Sequence, residues 1–345
     1  MVRFESIAQV IKERLSSGYY RNHKFPSERD LAIEFEASYL TARKSVKYLI
    51  ELGLLARTSR GRAEPVMQDE RQRVTLLCHD WPSQWILRLR QALSLVADDA
   101  NLIFNTRHYL HWEDEIIAET LRSSQGVVFI PSSADPPPRL VTCLQESSAR
   151  VLVTRSDFIS QGLHLLDRLP SVAVSVALDH LVSLGHRWIA IYNVQPDDAI
   201  IRLRLEQAKI WSRKNPEITL VFSGRPIESG DHSLPAARAQ GHILLKRPFP
   251  SAALALTIAA AQGLARAAID FGLEIGVDFS IAAIDGERLA EDLIPSITSV
   301  DADENDLHRI LVEATAWMKG GDWTDSLLHA CKFRLHVRES SGRAR

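Results

Sequence analysis

Phe25–Leu55 reads FPSERDLAIEFEASYLTARKSVKYLIELGLL, and its punctuation predicts two helices joined by a tight turn. Pro26-Ser27 opens the first: the Ser27 hydroxyl can accept from the backbone near Asp30, whose carboxylate can reach back. Leu31, Ala32 and Phe35 give this helix an apolar stripe. A break falls at Glu36-Ala37, and Ser38 caps a second helix in which Ala42, Val46, Leu49 and Ile50 face inward. Tyr39, Arg43 and Lys47 then share an outer face at i, i+4 and i+8, with Leu40 and Lys44 beside it. A capped helix, a short turn and a second helix with a basic outer face make a helix-turn-helix pattern. In that pattern the second helix suits a DNA major groove.

The flanks extend the reading. Upstream, Phe4, Ile7, Ala8, Ile11 and Leu15 recur at helical spacing, with Glu5, Lys12, Glu13 and Arg14 outside. Downstream lies ARTSRGRAEPV, where Arg57, Arg60, Gly61 and Arg62 suit a two-stranded hairpin with cations at its tip. Such a tip is placed to meet phosphates or a minor groove. From Ser38 to Arg62 six cations (Arg43, Lys44, Lys47, Arg57, Arg60, Arg62) stand against one anion, Glu51. The chain as a whole carries −2, so the remainder is acidic. A basic head on an acidic body points to a polyanion partner for the head alone; the other reading is a solvated charged face.

FPSERDLA, SYLTARKSVKYLIELGLL and SRGRAEPV resemble the GntR-type winged helix. That pattern runs L-P-S-E-R-x-L-A, then S-x-x-T-V-R-x-A-x-x-x-L-x-x-x-G-L, then a glycine-containing wing. The resemblance implies double-stranded operator DNA as partner, with contacts at Arg29, Ser38, Tyr39, Thr41, Arg43 and the wing Arg60, Gly61 and Arg62. The basic face adds Lys44 and Lys47. Two positions depart from the pattern. The glycine of the turn is Glu36, at a cost of about 1 kcal/mol if that residue is left-handed. The position after the capping serine, often a base-reading arginine, is Tyr39.

A chain of 345 residues exceeds one ordinary core, so two or three domains are expected. Cys78, Cys143 and Cys331 are isolated and lack metal-ligand spacing, which fits reduced, buried thiols. MVRFESIAQVIKERL has no continuous apolar stretch of the kind a secretory signal needs. AALALTIAAA, at 252–261, falls short of the roughly 18 residues of a membrane span. A cytoplasmic protein without a membrane partner is expected.

After Ala63–Gln72, polar and broken by Pro65, short apolar runs alternate with helical stretches. VTLLC, ANLIFNT, GVVFIP, RVLVT, LHLLD, RWIAIYN, ITLVFSG, HILLK, ALALTIA and FSIAAID are the runs. Helices are expected over 85–97, 114–123, 140–147, 171–184 and 200–213, and up to Phe271. Repeated β-α alternation predicts parallel sheets covered by helices on both faces, and so many strands fit two doubly wound lobes. Ligands then sit at the carboxyl ends of the strands, between lobes. No G-x-G-x-x-G follows a strand, and G-x-x-x-x-G-K-[ST], G-x-S-x-G and H-E-x-x-H are absent. His108 and His111 form a weak i, i+3 pair that reads as surface rather than metal site. No cofactor, metal or catalytic group is expected.

Three stretches resemble the core of LacI/GalR-type regulators and their periplasmic-binding-protein relatives. LDHLVSLGHRWIAIYN (178–193) is similar to A-x-x-H-L-x-x-x-G-H-R-x-I-A. FGLEIGVDFSIAAIDGERLAEDLIPSITSV (271–300) is similar to G-L-x-V-P-x-D-x-S-V-x-G-F-D-D followed by P-P-L-T-T-V, and FRLHVRESS (333–341) to the closing L-x-V-R-x-S. The resemblance implies effector contacts at Asp285, which otherwise caps the following turn, and at Arg155. An arginine on the helix after IAIYN falls on Arg202 or Arg204, with Arg204 favoured. In HDWPSQW, Trp81 or Trp85 either stacks on a flat ligand face or packs. The A-x-N-D of the family aligns with ALTI, so Thr257 and Ile258 replace Asn and Asp. An isoleucine cannot accept from ligand hydroxyls, so an effector less hydroxylated than a hexose, or a weakened site, is expected.

Together these readings predict a winged helix-turn-helix over 1–66, a linker over 67–73, and a two-lobed effector-binding and dimerisation domain over 74–341. The expected protein is a homodimeric transcription regulator, a repressor in type, sensing a sugar or related metabolite, in an arrangement resembling the arabinose-repressor group. The alternative is a sugar- or nucleotide-processing enzyme on a doubly wound fold.

Overall fold

The computed structural model describes residues 4–16, 19–58, 61–65, 71–80, 83–228, 231–324 and 326–345. Its contacts separate into two units, Met1–Glu70 and Arg71–Arg345.

In the first unit, helices α1 (Phe4–Ser16), α2 (Tyr19–Asn22), α3 (Glu28–Glu34) and α4 (Tyr39–Glu51) precede an antiparallel ribbon of β1 (Leu55–Arg57) and β2 (Ala63–Pro65). Ile7, Ile11, Leu31, Ala42, Val46 and Leu49 are fully buried and form its core with Phe25 and Leu55. The Ser27 hydroxyl accepts from Asp30 N–H at 3.2 Å and the Asp30 carboxylate accepts from Ser27 N–H at 3.0 Å, a complete capping box. Ser38 caps α4 by accepting from Thr41 N–H at 3.1 Å. Between the two helices Glu36 adopts φ +47°, the left-handed conformation that ends a helix and favours glycine. Glu36→Gly should therefore stabilise this unit by about 1 kcal/mol in urea denaturation. An unchanged midpoint would show that the turn stores no strain.

The second unit holds two six-stranded sheets. The first lobe begins with β3 (Arg73–His79), α5 (Gln84–Asp99), β4 (Ile103–Tyr109), α6 (Glu115–Ser123) and β5 (Gly126–Ile130). It continues through α7 (Pro138–Gln145), β6 (Arg150–Val153) and β7 (His164–Asp167). The chain then enters the second lobe: α8 (Ala173–Ser183), β8 (Trp188–Tyr192), α9 (Ala199–Lys214), β9 (Thr219–Ser223), α10 (Ser233–Leu244) and β10 (Ala252–Ala255). Next come α11 (Ile258–Asp270), β11 (Ser280–Ile284), α12 (Glu287–Glu291) and β12 (Thr298–Ala302). It returns to the first lobe for α13 (Glu304–Met318) and β13 (Leu328–Ala330), and ends in the second with β14 (Phe333–His336). The sheet orders are β4-β3-β5-β6-β7-β13 and β9-β8-β10-β11-β12-β14; only β14 runs antiparallel to its neighbour.

Burial on both faces explains the uninterrupted apolar runs: every residue of β5, β10 and β11 is buried. Three crossings join the lobes, and hydrogen bonds tie them together. Cys331 N–H donates to Asp167 C=O at 2.9 Å, and Asp303 N–H to Lys332 C=O at 2.8 Å. The Asp306 carboxylate accepts from Lys332 N–H at 2.8 Å.

One sequence expectation needs correction here, and one strand went unread in the sequence. HILLK is no strand; His242–Leu244 ends α10, because Ala237, Gly241 and Leu245 recur at helical spacing and bury against α11. Strand β13 carried no apolar alternation, and a ring stack holds it instead. His329 lies 3.5 Å from the Trp323 ring centroid, nearly parallel, and its Nε2 is 2.9 Å from His164 Nδ1. Burial and the neighbouring His164 push the His329 imidazole down to about 4, against Glu313. A depressed histidine contributes stability that is present above its unfolded value of about 6.5 and lost as pH falls through the folded one. The second unit should lose stability between those limits, and His329→Gln should flatten that slope in pH-dependent denaturation.

Strand β3 starts at Arg73, inside the expected linker, and the second unit runs past residue 341: Ala344 N–H donates to Leu184 C=O at 2.9 Å. Cys78 and Cys331 are buried and Cys143 partly so; all three are free thiols, and burial pushes Cys78 up to about 11. Among the described residues no helix is long and apolar enough to cross a membrane.

Candidate functional sites

In the first unit, the amino ends of α3 and α4 and the β1–β2 ribbon surround a groove of about 210 Å³. Arg29, Tyr39, Gly61 and Arg62 line it, together with Glu28 and Arg57. Glu28 organises that groove. Its carboxylate accepts from the Tyr39 hydroxyl at 2.8 Å and from Arg57 Nη2 at 2.8 Å. Burial pushes the Glu28 carboxyl up, but Arg57 and Tyr39 outweigh it and hold it below its usual range. Arg57 Nη1 also donates to Gly61 C=O at 2.7 Å, so one guanidinium links ribbon tip to helix. Gly61 has φ +77°, a conformation that suits glycine at the tip. Sequence reasoning placed Tyr39 and Arg57 on the surface but missed Glu28, which joins them.

The remaining cations differ in availability. Arg43 is exposed and has no ion pair among the described residues, whereas Lys47 pairs with Glu51 at 3.6 Å. Lys44 turns back over the Phe4 ring, 4.1 Å from its centroid. Ser38 and Thr41 share a 2.8 Å hydrogen bond at the helix start. Arg60 lies outside the described residues.

The second unit has a cleft between its lobes, a cavity of about 230 Å³ at the carboxyl ends of β6, β7, β8, β10 and β11. Ser83 and Trp85 at the start of α5, and Thr154 and Ser156 after β6, approach from the first lobe. Asp167 and Arg168 end β7 at the first crossing, while Gln195, Asp198, Arg204, Thr257 and Asp285 face them from the second lobe.

Asp285 sits at φ +68° directly after β11. The expected alternative role for it, capping the next turn, belongs to Asp301, whose carboxylate accepts from Gly286 N–H at 2.6 Å. The Asp285 carboxylate instead meets Arg168 across the cleft. Burial raises the Asp285 carboxyl, but Arg168 and then Arg204 outweigh it and hold it ionised below its usual range. The Arg168 guanidinium also lies over the Trp85 ring, 4.3 Å from its centroid. Arg204 is almost fully buried and donates to Leu256 C=O at 2.7 Å, while its Nε has no hydrogen-bond partner among the described residues. Burial pushes the Asp167 and Asp198 carboxyls up; Arg204 opposes the first, and the Ile201 N–H, capped at 2.8 Å, opposes the second.

Of the expected effector residues, Trp85, Arg204 and Asp285 meet at this cavity. Arg202 points away and pairs with Asp135 at 3.1 Å. Arg155 does not line the cavity: it is buried against Phe158 and donates to Ala134 C=O at 2.8 Å, so it braces a loop. Trp81 lies outside the described residues. Ile258 is not in the lining either; it packs against the core between α11 and the sheet, while Thr257 faces the cavity and accepts from Gln195 at 3.1 Å. The Asn-to-Thr change therefore bears on the cleft, and the Asp-to-Ile change on packing. Arg168 escaped sequence reasoning, since RLP after an apolar run reads as an ordinary surface loop.

The fold is a two-lobed α/β arrangement of largely parallel sheets, and residues 178–341 match the model of a periplasmic binding protein-like domain. No curated protein matches the chain. Among solved structures, the transcription regulator CcpA of Lactococcus lactis aligns with a TM-score of 0.63 at 18% identity, covering 79% of this chain and 99% of its own. The lac repressor dimer bound to operator and an anti-inducer aligns at 0.66 and 18%, covering 79% and 95%. A LacI family transcriptional regulator from Bifidobacterium animalis subsp. lactis aligns at 0.66 and 17%, covering 79% and 98%. At such identities the likeness is one of fold.

Proposed function

We propose that this protein is a DNA-binding transcription regulator, a repressor in type, whose operator affinity responds to a small molecule held between the lobes. One observation carries the reading: a single chain joins a capped helix-turn-helix with a basic outer face to a two-lobed cleft domain of the fold found in transcription regulators. The head reads as a GntR-type winged helix, with the ribbon as its wing. Sugars or related metabolites are the first effector class to screen. A homodimer in the cytoplasm follows from the same reading, because one short recognition helix buries too little surface for high specificity and two half-sites supply the rest. Effector and operator become coupled if each prefers a different arrangement of the lobes.

The test begins with selection of an operator from random duplexes. Arg43→Ala should then weaken operator binding by about 2 kcal/mol, as for a lost base or phosphate contact on the recognition helix. Arg62→Ala should weaken specific and non-specific duplexes alike and reduce the salt slope by about one contact. Fluorescence anisotropy at several salt concentrations measures both. Affinities equal to the parent in both variants would reject the DNA-binding reading.

A further inference from the structure

In the first unit one carboxylate ties together the three elements that would face DNA. Glu28 opens α3; its Oε2 accepts from the Tyr39 hydroxyl at the start of α4, and its Oε1 from Arg57 Nη2 at the end of β1, each at 2.8 Å. The other nitrogen of that fork, Nη1, donates to Gly61 C=O at 2.7 Å. Gly61 N–H donates to Thr58 C=O and Thr58 N–H to Arg62 C=O, each at 2.8 Å, so the guanidinium grips a ribbon end that is itself hydrogen-bonded. We propose that Glu28 and Arg57 are positioning residues that hold the wing in register with the recognition helix, and that by pairing they withhold one cation from DNA phosphates. This role rests on the reading of the unit as a DNA-binding winged helix, and adds how it separates operator from bulk duplex.

Geometry and charge both single out this pair. A carboxylate in a DNA-facing groove repels phosphates, and the groove that Glu28 shares with Arg29, Arg57 and Arg62 is otherwise cationic. The other use of a glutamate there is to accept from a base, as from cytosine N4, but both Glu28 oxygens are already engaged within the protein. An exposed surface pair is worth little, yet the Glu28 side chain is only 15% exposed and its two bonds reach different elements. What the link fixes is the angle of ribbon to helix. Operator binding needs that angle, because base edges and phosphates must be met in one register. Non-specific binding counts charges alone. A pair that fixes the wing and hides a cation therefore favours the operator twice: it preorganises the specific complex and weakens the competing one.

Fluorescence anisotropy on the full chain compares the selected operator with a scrambled duplex of equal length over a range of salt. Glu28→Gln should bind the scrambled duplex more tightly and raise its salt slope by about one contact, as Arg57 is freed. The ratio of operator to scrambled affinity should fall at least about tenfold. Glu28→Gln/Arg57→Gln keeps the net charge of the parent. Its salt slope should return to the parent value, while the ratio stays low because the wing is still unpinned. If Glu28→Gln does not fold, Arg57→Lys keeps the charge but lacks the planar fork that spans Glu28 and Gly61, and should lower the ratio at least about threefold at an unchanged slope. A parental slope in Glu28→Gln would overturn the withheld cation. A parental ratio in the double variant, or in Arg57→Lys, would overturn the positioning role and leave only a charge effect. A parent that binds no duplex would instead overturn the DNA-binding reading, on which the role of the pair depends.

Discussion

Asp285→Asn should cost the two-lobed unit about 3 kcal/mol of stability at neutral pH, more than its loss of one charge would suggest. The Arg168 side chain is 9% exposed and the Asp285 side chain 23%, so neither ion recovers much hydration once the other is gone. Asparagine keeps the shape and one acceptor, but removes the charge that the buried Arg168 guanidinium pairs with beside Trp85. The larger part of the loss is therefore the weakened pairing of a desolvated cation. Arg168→Gln in the same background should restore most of the stability, because an uncharged pair has no such ion to desolvate. The pH dependence has a definite sign. The Asp285 carboxyl is depressed in the fold, so its contribution is present above the unfolded value of about 3.9 and disappears as pH falls through the folded one. Urea denaturation of parent, both single variants and the double variant measures the cycle. A loss below about 1 kcal/mol in Asp285→Asn would mean the pair is solvated and does not hold the cleft.

Gly263→Ala should destabilise the second lobe by about 3 kcal/mol, although alanine is the better helix former by about 1 kcal/mol. A Cβ at this position would lie 2.4 Å from Ala237 Cβ, 2.5 Å from Leu234 O and 2.8 Å from Arg238 N. Two of those three atoms are backbone of α10 and cannot rotate aside. Helices α10 and α11 must separate, which loosens Ala237, Leu264 and Ala267, all buried in the same core cluster. Packing therefore outweighs propensity. Ala237→Gly in the same chain should return only part of the loss, since it clears the Ala237 contact and leaves the two backbone atoms in place. A net stabilisation by Gly263→Ala would show that the helices can part freely here. Circular dichroism melts of the parent and the two variants read the result.

Local chemistry made much of this protein legible before any tertiary structure. The Ser27–Asp30 capping box, the Ser38 cap and the inward Ala42, Val46 and Leu49 depend on residues within one or two helical turns, and each stands where the spacing placed it. The fully buried runs in β5, β10 and β11 were equally plain, because a parallel strand covered on both faces leaves no polar position to blur it. HILLK misled for the same reason in reverse: a short apolar run is common to a strand and to a helix end, and only packing against α11 settles which. Strand β13 rests on a ring stack in which His164 meets Trp323 and His329 from 165 positions before the latter.

The cleft divides along the same line. The resemblance to the LacI/GalR-type core pointed to Asp285, to Arg202 or Arg204 with Arg204 favoured, and to Trp81 or Trp85, and the carboxyl ends of parallel strands point to one edge of a sheet, where Trp85, Arg204 and Asp285 line the cavity. That Arg155 and Ile258 turn away, and that Arg168 crosses to Asp285, could not be read from order along the chain. Those outcomes depend on side-chain direction and on how two lobes meet, where 117 positions of sequence separate the partners of one ion pair. Sequence by itself determined the elements, their order and the edge at which a ligand belongs, because these follow from short-range periodicity and capping. Only the tertiary structure decided which charges face each other there, because burial and counter-charge are properties of the assembled space and not of any one segment.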